Sequence, residues 1–349
     1  MGIKCPNCNS QNRDGVKFCA VCNTNLVSGE ILQEEAPAAA PQSFAPAAAA
    51  DSPPPPPPSA ALDNEEKSYE GDMQNGLRHG KGKLIFNNGD IYEGDFKNNM
   101  RSGKGKLTYI EGGYYEGDFV DNTRTGTGKM LFADGAVYEG GFLNRAFHGK
   151  GKYTAPSGDI YDGDWVEDKI QGRGKYIFPN GDIYEGEYVD GMRHGKGKET
   201  LANGNYYEGE WLNDKRHGKG KIICANGDHI EGDFADASIV KGKYTFPDGS
   251  YYEGGFYNYE FDGFGKEKII NVGYYEGEFV EGKKTGKGIF KFANGEVYEG
   301  YFQSNSLTGE GKYTKPDGTV MEGRFDNGKF KEGLMIMNDG TRVTLNTKE

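Results

Sequence analysis

Basic residues are in short supply: 41 lysines and arginines face 53 aspartates and glutamates over 349 residues, a formal charge of −12. A nucleic-acid partner needs clustered cations to neutralise phosphate, so this balance argues against one. Long apolar runs are missing as well. The least charged stretch, 36–50, is alanine-rich and interrupted by Pro37, Pro41 and Pro46, so it offers no membrane-spanning helix. Met1 to Lys4 leads straight into a cysteine motif rather than the apolar core of a secretory leader. These absences set the expectation of a cytoplasmic protein. No Ser/His/Asp or Cys/His set stands apart from a repeating column, and acid pairs such as Glu70 and Asp72 recur too regularly to mark one centre. The expectation is a chain that is not an enzyme and has no small-molecule substrate.

Glycine is what the chain has in excess, 56 residues against 14 prolines, and 53 of the glycines lie after residue 68 together with 43 of the 45 aromatics. Both belong to a repeat. Tyr-Glu-Gly or a near copy starts at Tyr69, Tyr92, Tyr115, Tyr138, Tyr161, Tyr184, Tyr207, Ile230, Tyr252, Tyr275, Tyr298 and Met321, always 23 apart except for one step of 22 after Ile230. A period of this length means an array of one supersecondary unit. Three segments follow: 1–27, 28–67 and the array, 68–349.

The first segment carries Cys5, Cys8, Cys19 and Cys22 as two CxxC pairs. Two such turns can close a tetrahedral site around one structural zinc ion, and the alternative of two disulfides would strain each CxxC and suits a reduced compartment poorly. A segment this short cannot bury a core, so the ion would supply its folding free energy. With Phe18 just before Cys19, it resembles the zinc-ribbon modules of the CPxC and FCxxC type. The second segment is rich in Ala, Pro, Ser and Glu and holds the run Pro53 to Pro58. It reads as a disordered, extended spacer, or alternatively as a polyproline ligand.

Counting Tyr184 as position 0, Tyr184, Gly186 and Tyr188 share one face of a strand, and Glu185 and Glu187 share the other. After an expected loop holding Arg193, His194 and Gly195, a second strand carries Gly197 on the aromatic face and Lys196 and Lys198 on the acidic one. Asn-Gly and Asp-Gly pairs such as Asn180-Gly181 and Asp248-Gly249 then supply hairpin turns. The aromatic rings are expected to cover the bare backbone at the glycines, and acids to pair with lysines across strands. The fold class is therefore all-β: an elongated, single-layer antiparallel meander of about twelve hairpins. Repeat eight, one residue short and with Val240 where a glycine is usual, predicts a bulge near Ile239. The final LMIMNDGTRVTL reads as a closing hairpin.

The recurring YxGxF, HGxGxxxF and turn glycine resemble the MORN repeat from Tyr69 to about Gly340. The resemblance implies scaffolding, self-association or association with membranes and phosphoinositides. Position nine holds Arg78, Arg101, Arg124, Arg193, Arg216 and Lys284. This row is the candidate contact for an acidic protein partner or, in the alternative reading, for anionic phospholipid at the inner face of a membrane. The histidine column His79, His148, His194 and His217 reads as hydrogen-bonding rather than metal-binding, because neighbours stand about 10 Å apart. Cys224 reads as a buried small hydrophobe and Trp165 and Trp211 as core. Together these readings make the chain a non-catalytic, bacterial scaffold that binds a protein partner or itself. Its single cofactor would be zinc.

Overall fold

The computed structural model describes residues 66–346 and, as backbone, the short antiparallel pair Ile3–Lys4 and Gln11–Asn12. The four cysteines expected to bind zinc and the proline run lie outside the described residues. Everything described is strand or turn. The chain divides into two compact units, with the array parting between His217 and Gly218. Within each unit every strand pairs antiparallel with its sequence neighbours, so each is a one-layer meander.

One repeat shows why. Ile183–Val189 and Met192–Thr200 are joined by Asp190 and Gly191, whose φ values of 49° and 82° are the left-handed pair of a tight hairpin turn. This corrects the sequence reading, which made Arg193, His194 and Gly195 the loop. They lie inside the second strand because the reversal is complete two residues earlier. The register runs Tyr184↔Glu199, Glu185↔Lys198, Gly186↔Gly197 and then jumps to Glu187↔His194 and Tyr188↔Arg193. Gly195 and Lys196 form a two-residue bulge, where Gly195 takes φ +60°. In other repeats the position-three carboxylate caps this bulge: Asp118 accepts the Thr127 N–H at 2.8 Å and Asp164 accepts that of Arg173 at 2.9 Å.

The opposite edge carries the expected Asn-Gly and Asp-Gly turns. The Gly181 N–H donates to the Phe178 carbonyl at 2.9 Å, and only the glycine of the pair is left-handed, with φ +90°. Pro156, Pro179, Pro247 and Pro316 stand one residue before the Asn, Asp or Ser of these turns, where a fixed φ suits the first central position.

The glycines stand opposite one another strand after strand: Gly94↔Gly105, Gly105↔Gly117 and Gly117↔Gly128 in one unit, Gly254↔Gly265 and Gly265↔Gly277 in the other. A Cβ on Gly128 would sit 2.6 Å from the ring of Tyr115. The ring therefore lies flat on bare backbone, and the Tyr115 hydroxyl reaches over to donate to the Asp118 carbonyl at 2.9 Å. Rings at positions 0 and 4 meet edge to face, Tyr92 with Phe96 at 5.1 Å and with Phe119 of the next repeat at 5.0 Å. Such pairs add about 0.5–1.5 kcal/mol each beyond burial. This ladder is the core that a single sheet makes from itself.

Two irregular copies behave as their lengths require. In repeat eight Gly232↔Gly242 and Asp233↔Lys241 are followed by Phe234↔Ile239, so Val240 alone bulges. The last copy pairs Lys329–Ile336 with Arg342–Asn346, the expected closing hairpin.

Candidate functional site

Because Arg193 belongs to a strand and not a loop, its side chain points to the aromatic face. Arg193, Arg216 and Lys284 expose 1%, 2% and 1% of their surface, and Arg124 exposes 5%. Arg78 and Arg101 are half-buried in the same column. The expected outward row of cations is therefore an inward one, and the four buried members cannot meet a lipid head group. Each arginine lies across rings. The Arg193 guanidinium carbon is 4.3 Å from the Trp211 ring centre and 5.6 Å from that of Tyr184, and Arg216 is 5.1 Å from Tyr207. The arginines also fasten the next repeat. Nη2 of Arg78, Arg101 and Arg193 donates to the carbonyls of Asn99, Asn122 and Asp214 at 2.9, 3.0 and 2.9 Å.

Two acids missed in the sequence complete these sites. Glu199 and Glu267 occupy position 15, where other copies place Leu84, Tyr153 or Phe290, and they are 0% and 2% exposed. Glu199 bridges two repeats, with Oε1 2.9 Å from Arg193 Nη1 and Oε2 2.7 Å from Arg216 Nη2. Asp214 adds a contact of 3.2 Å to Arg193 Nε. Glu267 meets Lys284 Nζ at 2.6 Å. The signal was present as a charge in an otherwise apolar column, matched by a cation at position nine.

The other predicted residues sort as follows. Trp165 and Trp211 are buried and donate Nε1–H to the carbonyls of Gly151 and Gly197 at 3.0 and 3.2 Å. Cys224 is buried, and its burial, with Asp228 nearby, pushes the thiol up to about 11. His79, His148 and His194 are half-buried, each with an Nδ1 that has no hydrogen-bond partner, and His217 is exposed. No group of three or more His, Cys, Asp or Glu able to hold a metal occurs among the described residues.

The outer face is a ladder of ion pairs. Lys81, Lys104, Lys150 and Lys196 reach Asp95, Asp118, Asp164 and Glu210 of the following repeats at 2.7, 2.7, 2.6 and 2.8 Å. Partial burial alone would raise the carboxyls of Asp118 and Asp164. The neighbouring ammonium groups and bulge N–H donors outweigh it and hold both below the usual carboxylate range. Between this row and the row of Lys83–Glu93 pairs, at 3.1 Å, runs a shallow groove of about 790 Å³ floored by Gly94, Gly105 and Gly117. Its walls are charges already partnered, and the Thr127 hydroxyl in its lining donates to Asp118 Oδ2 at 3.1 Å.

Against known families, the chain matches the MORN repeat at 69–91, 92–114, 115–137, 138–160, 161–183, 184–206, 207–229, 240–251, 252–271, 275–297 and 298–320. The unmatched start of repeat eight is where Ile230 replaces tyrosine. A comparison with curated proteins finds no match. Among solved structures, the SAS-4 (dCPAP) TCP domain of Drosophila melanogaster, in complex with a proline rich motif of Ana2 (dSTIL), is 16% identical. It covers 51% of this chain and 96% of its own, with a TM-score of 0.31. The wild-type TCP10 domain of Danio rerio CPAP is 13% identical, covering 63% and 99%, with a TM-score of 0.34. Both scores are too low to equate the folds.

Proposed function

Since the chain belongs to the MORN repeat family, we propose that it is a non-catalytic interaction scaffold whose outer face binds a protein partner. The supporting observation is the division of labour between the faces. The recurrent Tyr, Gly and Arg columns are consumed in the core, which leaves the outer face to make contacts. There, beside the tight turns, position five forms a row of apolar side chains. Val120, Leu143, Val166 and Val189 remain 55%, 45%, 43% and 39% exposed in successive repeats. Neighbours in that row stand about 10 Å apart, two strand spacings. A row of this kind suits a partner that lies across many strands and is anchored at several points.

The N-terminal ribbon and its zinc belong to the same proposal, with Cys5, Cys8, Cys19 and Cys22 as ligands and folding of that segment as the ion's role. The test is affinity capture from native cells with the full chain and with a variant carrying Val120→Ser, Val166→Ser and Val189→Ser. Partners retained by the first and lost by the second, and then shown to bind directly when purified, are the expected result. Equal capture by both, or binding only to anionic vesicles, would overturn the reading.

A further inference from the structure

The ion-pair ladder of the outer face is missing one rung where Thr127 faces Gly141, and it fails over a longer run in the second unit. Position 12 faces position three of the next repeat, and the ladder still holds at the start of the second unit, where Lys219 meets Asp233 at 2.6 Å. From there the pattern breaks in three successive repeats. Lys241 faces Gly255, Phe264 faces Glu278, and Lys287 faces Tyr301. The two rings that replace charges are 61% and 43% exposed. Tyr257 and Val280, both at position five and two strands apart, are 68% and 52% exposed on the same face. Gly255, paired with Asp262 on the strand that carries Phe264, adds no side chain to this face. Nothing in the fold requires these rings. The core column is satisfied here as elsewhere, with Phe261 stacked on Tyr252 at 3.9 Å. Residues that break a repeat's rule with no structural return are candidates for function, and clustered exposed aromatics are the usual composition of binding hot spots.

Charge says what would cover them. On the turn-side half of these strands Glu260, Asp262, Glu278 and Glu281 outnumber Lys241, Lys283 and Lys287, and the whole chain is at −12. A second copy would bring the same acids face to face. A basic segment would meet carboxylates with its cations and ring faces with its apolar or guanidinium groups, as the Lys287 ammonium already lies 5.6 Å from the centre of the Tyr301 ring. We propose that the outer face around Phe264, Tyr257 and Tyr301 docks a basic protein segment carrying apolar side chains. This rests on the scaffold reading and adds the site and the chemistry of its partner.

The variant F264K/Y301D restores two of the three missing ion pairs, those of Glu278 and Lys287, and its charge changes cancel, so unspecific attraction of a cation to the chain is unaltered. Fluorescence anisotropy with the full chain would compare a labelled short peptide of alternating leucine and arginine with one of alternating serine and arginine. The wild type is expected to bind the first roughly tenfold more tightly, and the variant to lose roughly tenfold while melting no lower. Tyr257→Ser, at a position already exposed, is expected to weaken binding as well and covers the case in which the double variant fails to fold. Equal affinity for both peptides, unchanged affinity in the variants, or light scattering that shows chain pairs separated by the double variant would each overturn the proposal. Affinity unchanged in the variants moves the contact elsewhere on the array and leaves the scaffold reading standing. No binding by the wild type removes this site, while the scaffold reading keeps its own capture experiment.

Discussion

At position nine one column accepts two chemistries. Phe147 lies parallel to the Tyr138 ring at 3.6 Å, and Phe261 does the same on Tyr252. Arg193 and Arg216 put a planar guanidinium into the equivalent place, and Glu199 then becomes necessary because two buried cations need an anion. Glu199→Leu should therefore cost about 3–5 kcal/mol in urea unfolding, since it removes the buried carboxylate that both guanidiniums share. The triple change Arg193→Phe, Glu199→Tyr and Arg216→Ile, which uses residues found in the same columns of other repeats, should recover that loss. The burial of Glu199 could be read from its column. The burial of Arg193 could not, because the loop expected around it concealed which way the side chain faced.

Among elements, the hairpin with its bulge is the unit that repeats. Its acids do more than match lysines across strands, since Asp118 and Asp164 also hold the bulge N–H groups. Their folded-state carboxyls sit below the unfolded value, so the stability they contribute is present above the ordinary aspartate range and is lost as pH falls through the lowered values. Thermal midpoints of the wild type should fall between about pH 5 and about pH 3. A variant with Asp118→Asn and Asp164→Asn should start lower at neutral pH and change less. Alternation of side chains predicted the ion pairs. The bulge was hidden because Gly195 looked like part of a loop, whereas its left-handed φ is what lets the strand absorb two extra residues. The other small element, the cysteine-paired N-terminus, should bring one zinc per chain by elemental analysis. Cys8→Ser should abolish that zinc without altering the strand signal of the array in circular dichroism.

At the scale of the molecule, nearest-neighbour contact makes a repeat removable in principle. Deleting 138–160 takes out one whole cycle between Gly128 and Gly163 and should leave a folded chain with a small shift in midpoint by calorimetry. Deleting 184–206 is the same length but removes Glu199 and Arg193 and leaves Arg216 without its buried anion, so its midpoint should fall much further. The 23-residue spacing, the turn glycines and the alternation of Tyr, Gly and acid settled in advance that the array is all-β, that its hairpins pair in sequence, and that rings cover glycines, because period and steric demand are local properties of the chain. Which way the position-nine cations point, and that Phe264 and Tyr301 stand open where other repeats carry ion pairs, became visible only in three dimensions. Those outcomes depend on where a strand reverses and on what the next repeat sets opposite each side chain, and neither is local.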